Sequence, residues 1–135
     1  MFALTMGAGM DLGFPDCCNT PLAAGVPVPI PYPNIAMSAT SAPAAYNVLF
    51  DCMPVLNQMS EGLVSLGDQA GVMGGLVDVM IGGEAAYLVG CFTIIIGGAP
   101  AQRLTSVTGQ NALGMMPNGP GMCLCPSQVT VLTLG

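Results

Sequence analysis

The sequence predicts a mainly β protein of one domain, a compact body of short β-hairpins with at most one short helix. Three observations carry that reading. Glycine (19) and proline (12) punctuate the whole chain, the apolar runs between them are short, and four prolines alternate with apolar residues in one stretch. A chain of 135 residues buries roughly two-thirds of its unfolded surface, so one core is available without cross-links.

Residues 1–13 are expected as a flexible or docking N-terminus of this single domain, 1–135. The first unit spans Phe14–Ser38, where Pro27, Pro29, Pro31 and Pro33 occupy every second position. Each proline fixes φ near −65° and holds its predecessor extended. Val28, Ile30 and Tyr32 then face one side of an extended strand, as a period of two requires. With every second N–H missing, that strand belongs at an edge or on the outside. Asn34 is expected to close it as a turn residue.

Tyr46–Phe50 reads as the next strand. Val55, Met59, Gly62, Leu63 and Leu66 fall at helical spacing, which predicts a short helix over Leu56–Leu66. Gly67-Asp68 and Gly71–Gly75 would end it. Val77–Ile81 runs into Gly82–Gly83 with Ala86–Val89 after it, and Cys91–Ile96 runs into Gly97–Gly98. Glycine pairs between apolar runs signal tight hairpins, whose central residues take φ > 0. Val129–Leu134 is the last strand candidate. Val48–Pro54 and Ile94–Pro100 match in residue type at an offset of 46 residues, and a third copy is expected to begin at Val129. Such repeats mark stacked units that share a core, although strand–turn–proline also recurs by coincidence in all-β chains.

Composition excludes several functions. Arg103 is the only cation, there is no Lys or His, the net charge is −6 and the sequence pI is near 4.1. Nucleic-acid binding needs several Lys or Arg to release counterions, so it is excluded. A mean hydropathy of +0.71 raises the question of a membrane span. The charge-free stretch Thr20–Phe50 is long enough, but six prolines interrupt it, and no spanning helix tolerates that. Met1–Met10 has no basic region ahead of an apolar run, so no secretory signal is expected and synthesis is placed in the cytoplasm. Charged residues are only 6% of the chain, against about 25% in typical soluble domains. Fewer charges would ease passage into a bilayer, where each costs about 2.5–3.5 kcal/mol at the centre; a large partner covering the surface explains the same depletion.

Six cysteines in a reducing compartment point to metal binding or plain burial. Cys17, Cys18, Cys123 and Cys125 form two close pairs near the chain ends, and four thiolates suit tetrahedral zinc. Neither pair has the usual C-x₂₋₄-C spacing, so buried thiols or a disulfide between the ends stay open as alternatives. Cys52 and Cys91 are expected in the core. No catalytic residue is assigned: a Cys nucleophile would lack its His partner, and no carboxylates form a close pair in sequence. Gly71–Gly75 lacks the following Lys-Ser/Thr of a phosphate loop. Met115, Met116 and Met122, flanked by Gly and Pro, are expected to face a partner.

Several stretches resemble one family. Cys18-Asn19-Thr20-Pro21, followed by Pro29-Ile30-Pro31-Tyr32-Pro33-Asn34-Ile35-Ala36-Met37-Ser38, resembles the N-terminal signature of PAAR-like proteins. Gly67-Asp68-Gln69-Ala70-Gly71-Val72-Met73-Gly74-Gly75 resembles that family's central stretch. Ile94–Arg103 resembles a strand–Gly turn–Pro hairpin of the wider PAAR group. The signature residues are Pro29, Pro31, Tyr32, Pro33, Asn34, Gly67, Asp68, Gly74 and Gly75.

The resemblance implies a cone of β-hairpins with approximate threefold internal symmetry. Its base would cap the VgrG trimer of a bacterial type VI secretion system, helping the spike pierce a target envelope and deliver effectors. Partners would be the trimer, effectors or a chaperone, and transiently the target membrane. The protein would leave the cytoplasm on the spike. Ending at Gly135, it is expected to carry no fused effector. Family members hold a tip zinc mainly through histidines; lacking any, this chain would use cysteines or no metal. Two alternatives of other classes are a small pore-former and a Cys-dependent metal or redox protein. The second would need a low-pKa thiolate beside Arg103.

Overall fold

The computed structural model describes all 135 residues. It is mainly β, with 56% strand and 2% helix. In chain order the strands are β1 (Met10–Pro21), β2 (Pro27–Met37), β3 (Ser41–Ala42), β4 (Ala45–Phe50), β5 (Met53–Val55) and β6 (Glu61–Gly62). They continue with β7 (Ser65–Leu66), β8 (Glu84–Tyr87), β9 (Cys91–Ile96), β10 (Ala99–Ala101), β11 (Val107–Leu113) and β12 (Met116–Cys125). Eight strands form one sheet in the order β3-β6-β8-β11-β12-β1-β2-β7, while β4–β5 and β9–β10 are separate hairpins.

The alternating prolines lie in β2, paired along its length with β1 but with β7 only at Ile35 and Ala36. Pro27–Pro33 therefore forms an open edge. Alternate backbone N–H groups of a strand point to the same edge, so all four missing donors fall on the unpaired side. Asn34 does not end this strand. It continues in β2 to Met37, with the Asn34 side chain fully buried.

The hairpin β9–β10 turns at Gly97–Gly98, with φ of 64° and 85°. The hairpin β4–β5 makes the same turn with Asp51 (φ 53°) and Cys52 (φ 63°). That turn exposes Cys52, which is not a core residue; Cys91 is buried as expected.

The repeat is real and closes on itself. Leu56 donates its N–H to the Leu4 carbonyl (3.0 Å), Gln102 to Leu56 (3.0 Å), and Leu4 to Gln102 (2.9 Å). A second ring lies beside it: Met6 donates to Pro54 (2.9 Å), Gln58 to Pro100 (2.9 Å) and Leu104 to Phe2 (2.8 Å). Segments 2–6, 54–58 and 100–104 are thus three equivalent walls around one axis. Both ends of the chain supply the third hairpin: Phe2 bridges Leu132, and Thr133 donates to the Met1 carbonyl at 2.7 Å. Leu132 faces Phe2 as Leu49 faces Pro54 and Ile95 faces Pro100. Val129–Leu134 does not form the expected strand, since only Leu132 makes a β-bridge, but it is the outer arm of this third copy, and residues 1–6 complete it. Leu4 is buried at the centre of the fold.

The helix predicted over Leu56–Leu66 does not form. The backbone of residues 54–58 is committed to the two rings, and Asn57 then turns the chain, with Met59 N–H donating to Asn57 Oδ1 at 3.0 Å. Val77–Ile81 is not a strand either, and Gly82–Gly83 is no hairpin turn. Val77–Ile81 forms a largely exposed loop held by Asn118, whose Oδ1 accepts the Val77 N–H at 2.9 Å.

Two small apolar clusters make the core, one of Leu4, Leu56, Tyr87 and Cys123, the other of Ala45, Val55, Ile96 and Ala101. The large sheet is inverted relative to the usual alternation. Its buried row runs Cys123–Asp11–Ala36–Ser65, while the row Val107–Met122–Leu12–Ile35–Leu66 faces outward. No helix is long and apolar enough to cross a membrane.

Candidate functional site

The two stretches that resemble a family signature lie against each other. The chain from Gly67 to Leu76 is laid on β1 by the backbone: Asn19 N–H donates to Gly74 (2.8 Å), Met73 N–H to Asn19 (3.1 Å) and Leu76 N–H to Cys17 (3.1 Å). Gly67 has φ of +138°, and a Cβ there would lie 2.0 Å from the Pro33 carbonyl oxygen. Only glycine fits between the two stretches.

Where they meet, three ionisable side chains converge. Cys18 Sγ lies 3.7 Å from Asp16 Oδ1 and 3.7 Å from Asp68 Oδ2. All three residues are fully buried. Asp16 and Cys18 share a face of β1 because they are two residues apart, and Asp68 arrives on the glycine-anchored loop. Amide donors surround the group. Asn34 Nδ2 donates to Asp16 Oδ2 at 2.9 Å, and Asn118 Nδ2 donates to Asp16 Oδ1 in a short contact. Gly82 N–H donates to both Asp68 oxygens at 3.1 Å, and Asn111 Nδ2 approaches Cys18 Sγ at 3.7 Å. Burial raises the Asp16 carboxyl above its usual range against its amide partners. Burial, then the two carboxylates, push the Cys18 thiol up to about 12. No basic residue offsets these charges, since the chain's one cation, Arg103, bonds the Gly135 carbonyl oxygen at 2.7 Å. A buried Asp–Cys–Asp group of this geometry is able to hold a metal ion.

The family described as the toxin PAAR-like domain matches residues 9–117. The chain belongs to this PAAR-like family. Its match takes in both packed stretches and all three residues of the buried group. No curated protein and no solved structure matches the chain. Membership ties this PAAR-like domain, in general terms, to the spike-tip and effector side of type VI secretion.

The four cysteines proposed as zinc ligands do not converge. Cys123 pairs with Asp11 and Cys125 with Met10 at the start of β1, seven positions before Cys18. At ~3.3 Å per residue that is roughly 20 Å of strand. Cys17 and Cys18 also point to opposite faces. With no histidine in the chain, the histidine-held zinc of the wider family does not fit these residues either.

Cys123 belongs to a second buried network. Tyr87 donates its hydroxyl to Asp11 Oδ2 at 2.9 Å and lies 3.3 Å from Ser41 Oγ, while Asp11 Oδ1 has no partner. Burial raises the Asp11 carboxyl, and it raises the Cys123 thiol further with Asp11's charge added. The Cys91 thiol is lowered. Thr93 at 3.3 Å is the main cause and Arg103 at 3.9 Å a smaller one. Burial opposes this, second in size only to the Thr93 hydrogen bond. Met115, Met116 and Met122 are all exposed, the first two beside the β11–β12 turn and the third in the outward apolar row.

Asp68 was visible in the sequence as a signature residue, but its pairing with Asp16 and Cys18 was not. The Asp16-x-Cys18 spacing is the signal that could have found it, once residues 14–21 are placed on a strand. Asn111 and Asn118 carry no such signal.

Proposed function

We propose that this PAAR-like domain caps a VgrG-type trimer at the tip of a type VI secretion spike, docking through its threefold face. The observation that supports this reading is the recurrence of exposed apolar residues at equivalent places in the three hairpins. Tyr46, Phe92 and Val129 are 61%, 66% and 66% exposed, and Leu49, Ile95 and Leu132 are 57%, 58% and 55% exposed. Six apolar side chains arranged by threes suit a partner that presents the same surface three times around an axis. A single chain with this internal symmetry meets a trimer without breaking its axis. In this reading the protein is structural and not an enzyme. It is made in the bacterial cytoplasm, binds the trimer there, and leaves on the spike with its effectors.

Size-exclusion chromatography with a VgrG-type trimer tests the reading. One PAAR-like chain should co-elute per trimer. A Leu49→Glu/Ile95→Glu/Leu132→Glu variant that keeps the wild-type circular dichroism should elute separately. Absence of a complex, or equal binding by the variant, would sink the proposal. Dye release from liposomes by the isolated chain would favour the pore-former instead.

A further inference from the structure

We propose that Asp16, Cys18 and Asp68 form a zinc site of mixed sulfur and oxygen ligands, with Asn34 as a fourth donor. The site does not depend on docking to a trimer.

The spacing of the donors fits such an ion. Zinc binds thiolate sulfur at about 2.3 Å and carboxylate oxygen at about 2.0–2.2 Å, almost always tetrahedrally in structural sites. Two ligands at those lengths and a tetrahedral angle stand roughly 3.6 Å apart. The two Sγ–Oδ separations are each 3.7 Å. Both sulfur–oxygen edges are therefore already those of a tetrahedral zinc site, and the three donor atoms all lie within 4.8 Å of one another.

Asn34 supplies an independent observation. It is fully buried, its Nδ2 donates to both Asp16 Oδ2 and Ser65 Oγ at 2.9 Å, and its Oδ1 has no hydrogen-bond partner. An unpaired buried carbonyl costs about 1–3 kcal/mol. Turning the amide over exchanges its two ends and brings Oδ1 to the place now held by Nδ2, 2.9 Å from Asp16 Oδ2. There, in exchange for the two bonds that Nδ2 gives, it offers the ion a neutral oxygen beside Asp16.

Charge gives the motive. Two carboxyls and a thiol are held out of water with no cation beside them, an arrangement that is costly unless the charges are neutralised. A divalent ion offsets two of the three negative charges of the ligand set, displacing the Cys18 proton to solvent as it binds, because a coordinating thiol is deprotonated outright. The surrounding amide and N–H donors stabilise the remaining one. Asn118, Asn111 and the Gly82 N–H then act as outer partners that orient the ligands. Thiolate–oxygen ligation favours zinc over calcium or magnesium, which take oxygen alone.

The test uses the full chain. Protein purified without chelators should carry one zinc per chain by elemental analysis. Metal-stripped protein titrated with cobalt(II) should develop a thiolate-to-cobalt charge-transfer band that saturates at one equivalent. That band should vanish in Cys18→Ala and persist in Cys17→Ser and Cys123→Ser. Failure of the wild type to bind cobalt or zinc, a band that survives Cys18→Ala, or one lost in Cys123→Ser would overturn the assignment. Should Cys18→Ala not fold, X-ray absorption of the zinc-loaded wild type decides. One sulfur at about 2.3 Å with oxygens at about 2.0–2.2 Å is expected, and a shell of several sulfurs overturns it.

Discussion

Gln102 donates its backbone N–H to Leu56 at 3.0 Å, yet neither polar atom of its buried side chain has a partner. The equivalent places in the other two walls hold Leu4 and Leu56. An amide in an apolar setting of this kind costs about 1–3 kcal/mol unless it is bonded. Gln102→Leu, close in volume and matching its counterparts, is therefore expected to stabilise the fold by about 1–2 kcal/mol. Urea unfolding reads this directly, and a destabilised variant would show that the amide has a partner in solution.

Gly67 and Gly25 separate strain from crowding. Both have positive φ, at 138° and 71°, but a Cβ on Gly67 meets the Pro33 carbonyl at 2.0 Å while one on Gly25 meets nothing within 4 Å. Gly25→Ala should cost only the left-handed penalty of about 1–2 kcal/mol. Gly67→Ala must also push apart the loop and β2, so it should lower the thermal midpoint distinctly more. Equal shifts for the two variants would contradict the packing described.

Acid should stabilise this protein before it denatures it. Burial raises the Asp11 carboxyl from an ordinary 3.8. Burial, followed by the neighbouring Glu84 charge, raises Glu61 from 4.5. Their folded forms hold protons more tightly than the unfolded chain does, so between the unfolded and folded pKa values stability falls as pH rises. The contribution is complete below about pH 4 and lost as pH climbs through the raised values. The midpoint measured by circular dichroism should thus rise as pH falls from about 7 toward about 4. Asp11→Asn should flatten part of that rise. A midpoint that falls steadily over the same range, alike in both proteins, would refute it.

The sequence was most legible where backbone chemistry alone dictates the outcome. Proline at every second position forces an extended edge, and Gly97–Gly98 forces a tight turn, whatever surrounds them. The helix misread at Leu56–Leu66 shows the opposite case. Its spacing is helical, but Leu56 and Gln58 give their N–H groups to carbonyls about fifty residues away, and this long-range pairing overrides the local pattern. Asp51–Cys52 makes a glycine-type turn without glycine, so the matching hairpin was visible only through its repeat. The four-cysteine site failed for a related reason. Nearness in sequence to the two ends of the chain says nothing about register, and β1 pairs with β12 at Asp11, not at Cys18. The buried Asp–Cys–Asp group needed two facts no local pattern holds: that residues 16 and 18 lie on a strand, and that a glycine loop fifty positions on is laid across it.

Because the third hairpin is completed by Val131–Thr133 against Met1–Ala3, the order of synthesis has a consequence for this molecule. Residues 1–6 leave the ribosome well over a hundred positions before residues 131–133, so they cannot find their outer strand until that stretch has been made. The two other hairpins and all three walls are available by Leu104, while the six N-terminal residues wait with one edge unpaired. Unpaired edges are templates for joining other chains. During that interval a nascent copy is open to the matching stretch of a neighbour, and exchange of residues 131–133 between copies is the misassembly to which this architecture is most prone.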